Sequence, residues 1–300
     1  MKRVLFIFAI LGLTTMVAFG QTSRENRTVT AFTGINASGI INITVQRGNT
    51  HSLVIEADNT VMPYVRSAVR DGVLHLYLDR EFERRFRNNN GDVADNITIN
   101  VNRNQIIRNG NAISGNDNTI NPVNATVVMP NLECVTLAGV NTLIAEDLFT
   151  PDRFRFNGSG VSNLTINLNT NQLEIESRGV SNIEINANVR EMARFNSPGV
   201  SNISGNLVTE RVTFDIGGVG NITLSGSATN ARINAGGVPQ LDLIDFPIQR
   251  ADVNAGGVGS VTVNATESLS INAHGLATIR YTGTATVQKN VGRMSSVSRL

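Results

Sequence analysis

The sequence predicts an all-β chain, a parallel β-helix with rungs of about 19–20 residues preceded by an N-terminal β-rich segment. Three observations carry this. A Gly-Val dipeptide recurs at Gly139, Gly160, Gly179, Gly199, Gly218, Gly237 and Gly257, with Gly275-Leu276 as its last copy; the successive spacings are 21, 19, 20, 19, 19, 20 and 18 residues. Apolar residues alternate with polar ones on both sides of each glycine. Asparagine recurs at fixed distances from it, as at Asn163, Asn182, Asn202 and Asn221.

Along the chain, the first element is Met1-Lys2-Arg3 followed by an apolar run from Val4 to Leu13 that ends at Ala18-Phe19-Gly20. A basic start, an apolar core and small residues before the cut describe a secretory signal peptide over residues 1–20, with Gln21 as the mature N-terminus. The run is too short for a membrane span, and no span is expected after cleavage. An exported location follows: periplasm, outer surface or extracellular.

Residues 21–79 read as the N-terminal β-rich part. Val29–Phe32, Ile40–Val45, Leu53–Ala57 and Val73–Leu78 run apolar or alternate, with hairpin-type turns at Gln46–Asn49 and Arg70–Gly72. Met62–Val69 reads as a short helix or an irregular turn. Residues 80–124 turn charged and then Asn-rich, which predicts a mobile insertion. Its Arg84, Arg85 and Arg87 could meet an acidic glycan, but Glu81, Glu83 and Asp92 dilute that charge.

Residues 125–300 hold the repeats and a C-terminal cap. Four residues before the glycine stand Phe156, Ile175, Phe195, Phe214, Ile233, Val253 and Ile271, and six before it stand Phe154, Leu173, Ala193, Val212, Ala231, Ala251 and Leu269. Arg155, Glu174, Arg194, Thr213, Arg232, Asp252 and Ser270 lie between them. That is a half-buried strand with one face in and one out. A second strand follows with Leu164, Ile183, Ile203, Ile222, Leu241, Val261 and Ile279 inward, and each rung has room for a third. Glycine suits the bend between the strands, and asparagine suits turns and stacked amide ladders.

At this point the chain resembles a known family. Phe32 to Gly39, Ile43-Thr44-Val45, Leu53 to Ala57, Asp71 to Leu74, Met129 to Leu132, the Gly-Val rungs and Tyr281-Thr282-Gly283 are similar, in order and spacing, to the bacterial proteins described as putative auto-transporter adhesin, head GIN domain. The resemblance covers nearly the whole mature chain. It implies export, a right-handed coil and no catalytic residues.

Composition narrows the function. A net charge of +1 gives no electrostatic case for nucleic acid. One cysteine, Cys134, excludes an internal disulfide and reads as a packed, inert thiol. His51, His75 and His274 lack metal-ligand spacing, so neither metal nor cofactor is expected. Catalytic β-helices cluster carboxylates. Here Glu174 has Arg155 and Arg194 beside it, Glu184 has Thr165 and Ser204, and the pair Asp242 and Asp245 reads as a turn before Pro247. Aromatic platforms for sugar are poor, with no Trp and three scattered tyrosines.

The expected function is therefore an exported, non-enzymatic binding protein of the cell envelope or exterior, acting in adhesion or glycan binding. Its partner is a cell-surface glycan or protein, with Arg155, Arg194 and Arg232 as the ligand-contact face. A carbohydrate-active enzyme and a self-assembling structural module are the competing readings.

Overall fold

The computed structural model describes residues 22–86, 97–100, 105–108 and 122–300. The predicted signal peptide lies outside the described residues, as does most of the Asn-rich stretch, including Arg87 and Asp92. The architecture is a parallel β-solenoid of about nine turns.

The solenoid is built from long bent strands: β1 (Thr22–Arg27), β2 (Gly34–Arg47), β3 (Ser52–Asp58), β4 (Val65–Arg70) and β5 (Val73–Leu78) come first. A helix α1 (Arg80–Phe86) and the strands β6 (Ile97–Asn100) and β7 (Gln105–Arg108) follow. Next are β8 (Val123–Met129), β9 (Cys134–Phe149), β10 (Arg153–Ser177), β11 (Val180–Ser197), β12 (Val200–Ile216), β13 (Val219–Ala235), β14 (Val238–Ala255) and β15 (Val258–Ala273). The chain ends in β16 (Leu276–Thr282), β17 (Thr286–Val291) and β18 (Ser296–Arg299). From β9 to β16 every strand pairs in parallel with the next, so Val180, Val200, Val219 and Val238 stand directly in line. Where the sequence leaves room for a separate third strand, the chain instead continues as one strand from corner to corner.

The alternation is obeyed without exception in the two apolar columns before the glycine, whose residues are all buried. Phe195 and Phe214 stack with ring centroids 5.2 Å apart on adjacent coils. Burying a large side chain contributes roughly 1.5–3 kcal/mol, and these two columns supply one or two such side chains per coil. Coils of 19 and 20 residues coexist because bulges absorb the odd residue. Thr170 pairs with Val189 but Gln172 with Met192, and Thr223 pairs with Asp242 but Ala228 with Ile248.

The corner glycines serve two purposes. Gly39, Gly139, Gly160 and Gly275 have positive φ, the left-handed region where a Cβ is strained. At Gly218 the φ is ordinary, but a Cβ would collide with the carbonyl oxygen of Gly199 on the coil before. That close approach lets Gly199 accept a hydrogen bond from Val219 N–H at 3.0 Å.

The coil begins well before the repeats that the sequence makes obvious. Strand β2 stacks in parallel on β9, with Gly39 beside Gly139. The layer above β2 comes from two separate segments: β5 covers Gly34–Ser38 and β8 covers Ile41–Arg47. Beyond it the pairing turns antiparallel, β4 on β5, β3 on β8 and β1 on β3.

Two local expectations change. Met62–Val69 is a short 3₁₀ turn, Met62–Tyr64, and then strand β4. Pro63 suits the start of a helical turn, whereas the β-branched Val65 and Val69 favour the hairpin with β5. Asp71 and Gly72 close that hairpin with φ of 51° and 73°, the two positive values a tight primed turn requires. The turn at Gln46–Asn49 does not close a hairpin, because β8 lies between β2 and β3.

Candidate functional site

The three arginines of the predicted contact face do lie on the outside of the solenoid. Each is engaged by a carboxylate one coil further on. Arg155 meets Glu174 at 3.2 Å, Arg194 meets Asp215 at 3.1 Å, and Arg232 approaches Asp252 at 3.7 Å. Arg194 thus turns away from Glu174, because Asp215 stands two residues beyond its directly paired position, Thr213. Such exposed pairs contribute about 0–1 kcal/mol each.

Of the three, Arg232 opens onto a concave surface. A shallow groove of about 660 Å³ crosses the coils there, lined by Arg211, Asn230, Arg232, Arg250, Asp252 and Gln288, among others. Its floor is the strand itself over the inward-pointing column Val212, Ala231, Ala251 and Leu269, and its walls are the outward columns on either side, Arg211, Asn230, Arg250 and Ser268 against Thr213, Arg232, Asp252 and Ser270. Arg250 donates to Asn230 Oδ1 at 2.9 Å and to Glu267 at 2.8 Å, while Arg211 pairs with Glu210 at 2.7 Å. Guanidinium and carboxylate groups held at the mouth in this way offer donors and acceptors side by side. Asn230, Ser268 and Ser270 add neutral ones.

Sequence reasoning missed Arg211, Asn230 and Arg250. They form the outward column seven residues before the glycine, one alternation further out than the column that holds Arg232. The signal was present, since Arg211, Asn230, Arg250 and Ser268 recur with the repeat.

The other candidates stay apart. Glu184 is flanked by Thr165 and Ser204, as the spacing predicts. Asp242 accepts from Ile244 N–H at 3.2 Å, next to the bulge at Pro247, which is turn chemistry. His51 contacts the Phe32 carbonyl oxygen at 2.9 Å and packs edge-on against the Phe32 ring. His75 lies in β5 and His274 at the last corner, and no group of three or more metal-ligating side chains occurs among the described residues. Cys134 is half-buried beside Gly34, where a Cβ would strike its Sγ. Burial pushes the thiol pKa up, Glu133 adds to the rise, and Arg155 opposes it. No helix among the described residues is long and apolar enough to cross a membrane.

The solenoid matches solved structures of similar shape. One is a putative adhesin from Parabacteroides distasonis, 17% identical with a TM-score of 0.57, over 94% of this chain and 98% of that one. Another is a putative adhesin from Parabacteroides merdae, 19% identical with a TM-score of 0.56, over 94% and 97%. A third, from Parabacteroides distasonis, is described as a putative lipid binding protein, 16% identical with a TM-score of 0.55, over 94% and 97%. At such identities the likeness speaks for the fold. No curated protein matches the chain. The family model for the putative auto-transporter adhesin, head GIN domain, matches residues 31–199 and 190–285. Those matches span the solenoid from its first coil to its last, and the chain belongs to that family.

Proposed function

We propose that this chain is an exported, non-enzymatic binding protein that attaches to a glycan of a cell surface along the groove beside Arg232. The carrying observation is the groove itself, about 660 Å³, open across successive coils and lined by guanidinium, amide and hydroxyl groups. Sugar hydroxyls present a donor and an acceptor on each oxygen, and paired Arg and Asp or Glu side chains offer the complementary set. The family's description and its neighbours' names support a binding role in general. Each carboxylate at the mouth is paired with an arginine, an arrangement that serves recognition better than acid-base work.

The test is retention of the purified chain on a panel of polysaccharides, with release of reducing ends recorded in parallel. Retention without release is expected. Arg232→Ala should weaken retention about tenfold, the worth of one hydrogen bond to a charged group, whereas Arg155→Ala, outside the groove, should leave it unchanged. Release of reducing ends would establish an enzyme instead. Retention indifferent to Arg232→Ala would move the site elsewhere.

A further inference from the structure

The residue after each corner glycine points outward. Val180, Val200, Val219, Val238, Val258 and Leu276 are 43, 42, 43, 52, 53 and 54% exposed. Ile40, Val140 and Val161 continue the same column in register, half-buried. Nine coils at about 4.8 Å give an aliphatic ridge roughly 38 Å long. A hydrogen-bonded amide ladder runs along one side of it, from Asn163 through Asn182 and Asn202 to Asn221. On the other side, in three successive coils, lies a floor without side chains: Gly217-Gly218, Gly236-Gly237 and Gly256-Gly257.

The fold accounts for half of that floor. Gly218, Gly237 and Gly257 each abut a carbonyl of the coil before. Gly217 and Gly236 do not: their φ values are ordinary, and an added Cβ would meet nothing nearer than 3.9 Å. Elsewhere the same column carries Arg178, Pro198 and His274. Glycine at 217 and 236 is therefore not demanded by the coil, and its effect is to keep the strip beside the ridge bare.

We infer that this floor receives the ridge of a second copy of the chain, so that two solenoids associate side by side with their axes parallel. A two-fold axis along the strip, between ridge and floor, carries each ridge onto the other copy's floor. Both strips repeat at the same coil spacing, so ridge and floor meet coil for coil over the three glycine coils. From Ser197 to Gly259 the two columns on either side of the glycines hold no charged side chain, so neither copy repels the other. Part of the floor's backbone is paired along the axis, where Val238 N–H donates to Gly218 O and Val258 N–H to Gly237 O, both at 2.9 Å. A membrane surface would favour cations beside the ridge, and these coils have none there. Over the three glycine coils the strip, about 10 Å wide, offers roughly 140 Å² per copy. That is under a fifth of the area per partner in a standard interface, so the rest of the ridge and the amide ladders add to the contact and the dimer is weak and reversible.

Sedimentation of the purified chain over a wide concentration range tests this. The expected mass rises from monomer to twice that value. Val238→Asp, on the ridge, and Gly236→Arg, on the floor, should each hold the chain at monomer mass with an unchanged thermal melt. Wild-type chain that stays monomeric throughout overturns the inference, as does a dimer untouched by both variants. A dimer broken only by Val238→Asp means that ridge packs on ridge. Variants that instead lose retention on lipid vesicles or polysaccharide, against a monomeric wild type, assign the strip to that partner.

Discussion

Gly217 and Gly218 are chain neighbours under opposite constraints. Alanine at 218 would press its methyl group on the Gly199 carbonyl, which is engaged with Val219 N–H and has nowhere to move. Gly218→Ala should cost about 1–3 kcal/mol, as overpacking does. Gly217→Ala meets open space and should stabilise by up to about 1 kcal/mol through the unfolded chain. Urea melts of the two variants side by side check this, and equal destabilisation would refute the geometry. Cys134 makes a second prediction at this scale. Its raised pKa leaves less thiolate at pH 8 than a free thiol has, so alkylation should be slow and accelerate only above the ordinary thiol range. The folded state holds this proton more tightly than the unfolded one. The associated stability is full below the unfolded pKa and is lost as pH rises toward the folded pKa. Alkylation as fast as that of a small thiol would contradict the burial.

Among the coils, the asparagine ladder is the element most open to measurement. Asn182 donates to Asn163 and accepts from Asn202, both at 2.8 Å. Asn182→Ala removes both bonds and should cost about 1–2 kcal/mol, read as a shift in the urea midpoint; no shift would reduce the ladder to a coincidence of stacking. The ladder was legible in the sequence because Asn163, Asn182, Asn202 and Asn221 hold a fixed offset from the glycine. The inward columns were legible for the same reason. The exposed ridge could have been read from the same alternation. Residues two and four places after the glycine face inward, so the valine one place after it must face out. Conserving an aliphatic there fits no rule of the coil interior. The groove was harder to foresee. It depends on how far the side chains of two outward columns, Arg211, Asn230 and Arg250 on one and Thr213, Arg232 and Asp252 on the other, splay apart across the coils, and that does not show in a pattern of letters.

For the whole molecule, the sequence concealed where the coil starts. Glycine 39 carries isoleucine after it and stands 100 residues from its partner, Gly139, so no local period reveals it. The two ends are also finished differently. At the first coils the stacking turns antiparallel and closes on β1, whose Thr-Ser-Arg-Glu-Asn-Arg sequence makes a charged edge that discourages further strand addition. The last coil is completed by β17 on β15 and β18 on β16.

The long gap between Gly39 and Gly139 also sets an order of assembly. A strand in the repeats waits for a neighbour one coil away, about 20 residues, whereas β2 meets β5 over Gly34–Ser38 after 39 residues and its next coil, β9, only after 100. Closing the longer loop costs roughly 1.4 kcal/mol more, at about 0.6 kcal/mol per doubling. Chain made from its N-terminus therefore emerges with its first coil covered only by β5 over Gly34–Ser38 and still without the coil beneath it. The nucleus forms downstream, where successive coils template one another, and the earliest strands dock last on a surface already built.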